Sequence, residues 1–199
     1  MAMGPLPARS VKQQLRGQLR ARRDELTAAE RRASSEAIAR RLRALPEGQG
    51  DGPVLAYAAS PYEVDLDDLL TSWAAEGRAV WLPWVAGEHL GIARVHDVLA
   101  DLSPGYRGIR EPAASGVAPA DLSGLKLALV PGLGFSADGA RLGHGGGHFD
   151  RLLAGRPADL LLIGVAFDLQ VVPTILEEPH DRRVDIVVTE RRVLRPSQI

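Results

Sequence analysis

Apolar positions follow two different periods along the chain. In the first quarter they recur every three to four residues: Leu15, Leu19 and Leu26 share roughly one helical face, and Ala33, Ala37, Ile38, Leu42 and Leu45 share another. Ser10 followed by Gln13, and Thr27 followed by Glu30, read as capping boxes that open the two helices. The second helix ends before Pro46, where a glycine-rich loop runs to Pro53. From Val54 onward apolar residues come instead in short continuous runs, at 54–59, 79–82, 125–130, 160–166 and 185–189, with a weaker one at 90–95. Such runs are expected of strands covered on both faces. Helical stretches separate several of them; Asp65 caps one that carries Leu66, Leu69, Leu70 and Trp73 and stops at Gly77. The pattern predicts an α/β domain, a mostly parallel sheet sandwiched by helices. Ligands of such sheets bind beyond the carboxyl ends of the strands, which directs the search to the loops after Ala59, Leu82, Val130, Ala166 and Thr189.

Composition narrows the class. A chain of 199 residues fits one sizeable core, and 45% hydrophobic with 25% charged residues is ordinary for a globular protein. The longest apolar run, 160–167, falls far short of the ~20 residues that cross a bilayer. The opening MAMGPLPARS lacks the apolar core of a secretory signal, so a cytoplasmic protein is expected, with residues 1–9 a flexible tail on a single domain spanning 1–199. The absence of cysteine excludes thiolate metal sites and a cysteine nucleophile. Net charge is −1, yet Arg9, Lys12, Arg16, Arg20, Arg22, Arg23, Arg31, Arg32, Arg40, Arg41 and Arg43 crowd the first quarter. RNA or another polyanion is one reading of that crowding. A solvated, ion-paired helix face is the preferred one, because Asp24, Glu25, Glu30 and Glu36 are interleaved at helical spacings.

The stretch 141–150, RLGHGGGHFD, carries the strongest chemical signal. Gly143, Gly145, Gly146 and Gly147 let backbone N–H groups approach phosphate oxygens, the FDRLL helix adds its N-terminal dipole, and Arg141 and Arg151 add charge. It is neither a Rossmann fingerprint, since His148 stands where glycine is needed, nor a Walker loop, since no Lys-Ser/Thr pair follows. His144, His148 and Asp150 are the pieces of a possible zinc site, disfavoured because three glycines leave no rigid helix between the histidines. Asp150 is a better magnesium ligand, with Asp185, just before an apolar strand, as a candidate second carboxylate. Lys12, one of only two lysines, is a candidate phosphate contact, and Glu63 at a strand end suits an N–H-bearing heterocycle. Trp81, Trp84 and Phe135 are candidates for the apolar wall of a pocket. No nucleophile elbow is present, because GFSADG lacks the G-x-S-x-G frame.

In order and spacing, KQQLR at 12–16, YEVDLDDLL at 62–70, WLPWV at 81–85, GIREP at 108–112, the run LVPGLGFSADGARLGHGGGHFDRLL at 129–153, and then GVAF, HDRRVD and VVTE resemble the 5-formyltetrahydrofolate cyclo-ligase family across nearly the whole chain. The resemblance implies a three-layer α/β/α sandwich with a mostly parallel central sheet, of the NagB/RpiA/CoA-transferase-like type. It implies a monomeric enzyme that uses Mg2+ and ATP to convert 5-formyltetrahydrofolate into 5,10-methenyltetrahydrofolate, with no nucleic-acid or membrane partner. Carried over by motif, Lys12, Gln13, Gln14, Leu15 and Arg16, together with Arg141, Leu142, Gly143, His144, Gly145, Gly146, Gly147, His148 and Phe149, would bind ATP. Arg141, His148 and Asp150 would be catalytic. Ala58, Glu63, Trp84, His144 and His148 would bind the folate, and Asp150 and Asp185 would hold the metal. His148 and Phe149 replace a tyrosine pair usual in the family, Gly146 occupies a place often held by lysine, and His144 stands where arginine or an aromatic residue is frequent. These departures keep open an alternative, a paralogue that binds nucleotide or folate without turnover.

Overall fold

The computed structural model describes residues 8–113 and 120–196. Two helices lead, α1 (Ala8–Asp24) and α2 (Ala28–Ala44). The expected tail lies largely outside the described residues, and Ala8 and Arg9 already belong to α1. Ser10 therefore sits within the first turn rather than capping it. Thr27 does cap α2: its hydroxyl accepts from the Glu30 N–H while the Glu30 carboxylate accepts from the Thr27 N–H at 2.8 Å.

Beyond α2 come β1 (Val54–Leu55), α3 (Asp67–Ala75), β2 (Val80–Ala86), β3 (His89–Val95), β4 (Leu102–Pro104), β5 (Arg110–Pro112) and β6 (Leu127–Pro131). They are followed by β7 (Gly134–Ser136), β8 (Arg141–Leu142), α4 (His148–Leu153), β9 (Leu161–Val165), β10 (Val171–Val172), β11 (Ile186–Val188) and β12 (Val193–Leu194). The main sheet has seven strands in the order β12-β11-β9-β6-β1-β2-β3; the five inner strands are parallel and both edge strands antiparallel. Alternation splits the apolar runs between two faces. Val54, Leu127, Leu129, Ile163 and Val188 join Ile38 and Leu42 of α2 and Leu70 and Trp73 of α3 in one core. Leu55, Ala128, Val130, Leu162 and Val187 join Leu152 and Leu153 of α4 in the other. This is the expected mostly parallel sheet with helices on both faces.

Pro83 lies inside β2 because β1 pairs only as far as Leu55 with Trp81. Past that point β2 has a partner on one side alone, so a missing N–H costs nothing there. Beyond the carboxyl ends of the inner strands sits a second, three-stranded sheet, β10-β7-β8. Gln170 fastens it to the main sheet by donating to the carbonyls of Gly132 and Leu133, both at 3.0 Å. Leu19 of α1, fully buried, packs with Leu142, Val172 and Ile175 on this small sheet rather than on the main one.

Candidate active site

α1 lies along the carboxyl edge of the sheet and turns Lys12, Arg16 and Arg23 inward, while Arg9, Arg20 and Arg22 stay exposed. Lys12, Leu15, Arg16, Leu19 and Arg23 occupy its covered face, whereas Gln13 and Gln14 point to solvent. A solvated basic face therefore describes only the outer side of α1, where Arg9, Arg20 and Arg22 lie, and not the side of Lys12, Arg16 and Arg23. Of the interleaved acids, Glu36 pairs with Arg32 at 3.2 Å on α2, but Lys12 and Arg16 find their partners in distant loops. Lys12, only 4% exposed, donates to Glu178 at 2.6 Å and to Asp181 at 2.5 Å. One turn on, the Arg16 Nε–H donates to the Gly143 carbonyl at 3.0 Å, and Arg20 reaches the His144 carbonyl at 3.4 Å. Burial works against charge on Lys12, but the bonds to Asp181 and Glu178 outweigh it and raise its pKa above the usual lysine value. Burial likewise opposes charge on Asp181, and the Lys12 ammonium with the Glu178 N–H still holds it below the usual carboxylate range.

The glycine loop runs from β8 to α4. Arg141, 5% exposed, makes an ion pair with Asp150 through Nη2 and donates from Nη1 to the Pro131 carbonyl, at the carboxyl end of β6. Its Nε–H is buried without a partner among the described residues. The Arg141 guanidinium passes so close to Gly143 that a Cβ there would lie 3.2 Å from Nη1. Gly145 (φ +106°) and Gly147 (φ +66°) take left-handed conformations that side chains disfavour. α4 is a turn and a half long, so its dipole adds little; charge around the loop comes from Arg16, Arg20, Arg141 and Arg151. Arg151 runs back beside Gly147, donates to the Glu88 carbonyl at 2.9 Å and lies 3.4 Å from the His148 Nδ1. The His148 ring tilts toward Tyr106 with centroids 6.3 Å apart.

Glu63 joins the loop from the end of β1. Its carboxylate accepts the Ser60 N–H at 2.9 Å and meets the His144 Nε2 at 3.2 Å. Burial pushes its pKa up, but the bonds from His144 and from the Ser60 N–H prevail and lower it. Ala58 is buried in the same β1–α3 connection. His144, Glu63, Arg16 and Gly143 are thus brought together. His144 and His148 part company, one toward Glu63 and the other toward Arg151 and Tyr106, so a zinc site built on them with Asp150 does not form.

Four expected site residues stand elsewhere. Asp185 pairs not with Asp150 but with the backbone: its carboxylate accepts the Leu162 N–H at 2.7 Å and lies 3.5 Å from Arg156. It precedes β11 at the level of Leu162, and hence of Ala128, whereas Asp150 is tied through Arg141 to Pro131. That separates the two carboxylates by about 10 Å along the sheet axis, at opposite edges. The Phe149 ring packs between the two cores rather than into the loop. Trp84 lies over Gly91, where a Cβ would be 2.3 Å from its ring, and its Nε1–H is buried with no partner among the described residues. Phe135 belongs wholly to the core, over Gly164. Glu178, Asp181, Arg20 and Arg23 were not singled out from the sequence; HDRRVD contains Asp181, but no spacing rule links it to Lys12, which lies far away in the chain.

An α/β sandwich with an arginine-lined glycine loop at its carboxyl edge places that loop where proteins of this fold class bind ligands. A sequence profile of the 5-formyltetrahydrofolate cyclo-ligase family matches residues 8–190. The chain belongs to the 5-formyltetrahydrofolate cyclo-ligase family. It is similar to the 5,10-methenyltetrahydrofolate synthetase of Aquifex aeolicus, whose NMR structure superposes with a TM-score of 0.82 at 34% identity, covering 95% of this chain and 94% of that one. The mouse 5-formyltetrahydrofolate cyclo-ligase is 28% identical over 94% of this chain and 98% of its own. The fold also matches the Mycoplasma pneumoniae 5,10-methenyltetrahydrofolate synthetase, with a TM-score of 0.68 at 21% identity over 90% of this chain and 98% of that one. No helix among the described residues is long and apolar enough to cross a membrane.

Proposed function

We propose that this protein converts 5-formyltetrahydrofolate to 5,10-methenyltetrahydrofolate with consumption of ATP in the presence of Mg2+. The observation that carries the reading is the convergence on one glycine loop of the α1 cations from one side and Glu63 from the other, through Arg16 to Gly143 and Glu63 to His144. A phosphate chain on the loop and a folate ring on Glu63 would then meet over the same few residues. In the reaction the formyl oxygen attacks the γ-phosphorus and ADP leaves. N10 next attacks the formyl carbon, loses its proton, closes the ring and expels phosphate. Such a transfer depends on positioning and charge neutralisation. Arg16 and Arg141 suit that demand as fixed cations, and Lys12 suits it as a point charge that phosphate oxygens can draw from Glu178 and Asp181.

Magnesium takes hard oxygen ligands and keeps several waters. Asp150 fits, since one of its oxygens holds Arg141 and the other accepts no hydrogen bond from the described residues. Asp185 does not fit beside it. Asp181, at the carboxyl edge next to Lys12, is the acidic partner that the geometry supports in its place. When bound, the ion would neutralise phosphate charge. Purified protein given Mg-ATP and 5-formyltetrahydrofolate is expected to generate the methenyl chromophore with ADP and phosphate in equal amounts. No chromophore, with ligand binding intact, would reduce the protein to a binding paralogue.

A further inference from the structure

Arg23 follows Lys12 by three helical turns on the covered face of α1, and there it meets the β1–α3 connection instead of the glycine loop. It is 6% exposed. Its Cζ lies 5.5 Å from the centroid of the Tyr62 ring, which Arg31 also approaches, at 5.3 Å. Its Nε is 3.7 Å from the Asp24 carboxylate, beyond hydrogen-bond reach, and both Nε and Nη1 are buried with no acceptor among the described residues. Burial pulls its pKa below the usual arginine value, and the Glu63 carboxylate opposes that pull. A buried cation with two idle donors destabilises a fold, and a leucine would fill such a space without that cost. Its two donors are open to an acceptor that arrives from outside.

The reduced pterin ring of a folate supplies one. Its 2-amino-4-oxo edge sets N–H donors next to a single carbonyl. A carboxylate alone reads the donors, whereas a carboxylate with a guanidinium beside it reads both. We propose that Arg23 is a specificity-determining residue of the folate site, donating from its buried face to the 4-oxo group of the ring that Glu63 holds. The inference rests on the assignment of Glu63 to the pterin.

The test uses the full chain, Arg23→Leu, and two inhibitors, folic acid with a 4-oxo group and N3–H, and aminopterin with a 4-amino group and a bare N3. Arg23→Leu should raise KM for 5-formyltetrahydrofolate by about tenfold, the loss of one charge-assisted hydrogen bond, and leave KM for ATP within about twofold. The ratio of folic acid to aminopterin inhibition should move by about tenfold toward aminopterin. Tm should hold or rise, which a purely structural arginine would not allow. Arg23→Met, similar in length, repeats the measurement should the leucine protein fail to fold. An active wild type whose Arg23 variants keep both the folate KM and the inhibitor ratio within about twofold would overturn the inference alone. A wild type that neither turns over nor binds folate would overturn the Glu63 assignment, and the role of Arg23 with it.

Discussion

The two edges of the parallel sheet use the same residue types to opposite ends. At the amino edge, Arg78 donates to the carbonyls of Gly52 at 2.8 Å and Gly48 at 3.0 Å, and Asp185 accepts the Leu162 N–H. Both of these charged side chains bond to backbone, and Asp185 also lies 3.5 Å from Arg156. At the carboxyl edge, α1, the β1–α3 connection, the glycine loop and the 178–181 segment are tied to one another: Lys12 to Glu178 and Asp181, Arg16 to Gly143, Glu63 to His144. Among the described residues, Arg141, Arg23 and Trp84 keep buried N–H groups without partners, as do Arg41 and Arg182. Satisfied polar groups fasten a structure, while an unsatisfied donor near the ligand edge of a sheet is open to an acceptor from outside. The comparison teaches that the site is told from scaffold less by its charges than by what those charges leave undone.

Asp150→Ala should have the largest effect. It removes a metal candidate and strands the buried Arg141 guanidinium, so kcat is expected to fall about a thousandfold or more. Stability should fall by about 3–5 kcal/mol in thermal melts. Asp150→Asn, which keeps an acceptor for Arg141, should recover most of the stability and none of the turnover. Activity within tenfold of wild type for Asp150→Ala would move the reacting centre away from this edge. Next in size is Glu63→Gln, which keeps the shape but weakens the bonds to a ring N–H. KM for 5-formyltetrahydrofolate should rise about 10–100-fold with KM for ATP unchanged. Because the fold holds Glu63 below the usual carboxylate range, its contribution to stability is complete above about pH 4.3 and fades as pH falls through the lowered value. Melting temperatures taken from about pH 5 down to pH 3 should drop less steeply for the glutamine protein. Parallel curves would mean that His144 and Ser60 do not favour the ionised form.

Much of this was legible in the residues. Continuous apolar runs marked the inner strands because both faces are covered, and Thr27 with Glu30 marked the start of α2 because a capping box is purely local. The small sheet left no periodic trace, since strands of two or three residues are too short to show one. The glycine loop was readable through the backbone freedom it needs. The inward turn of the α1 cations was not, because acids elsewhere on the helices offered equally good local partners and only the fold brings Glu178 to Lys12. Asp185 stands apart from the other candidates. It stands just before an apolar run, and that position already assigned it to the amino end of a strand, opposite the edge where such sheets bind ligands. The strand-end rule applied to Glu63 would have rejected it.

Asp185→Asn therefore gives the smallest and sharpest test. Asparagine keeps an oxygen for the Leu162 N–H and loses only charge, so stability should fall by about 1 kcal/mol, or about 2–4 °C in Tm. kcat and both KM values should stay within about twofold of wild type, because nothing on the reacting edge touches this carboxylate. The pairing of outcomes matters more than either alone. Asp150→Asn should be nearly as stable as wild type and inactive, Asp185→Asn slightly less stable and active. Were Asp185→Asn to lose turnover and its dependence on Mg2+ as fully as Asp150→Asn, the two edges would be functionally continuous, and the division of labour between an amino edge that fastens and a carboxyl edge that binds would be wrong.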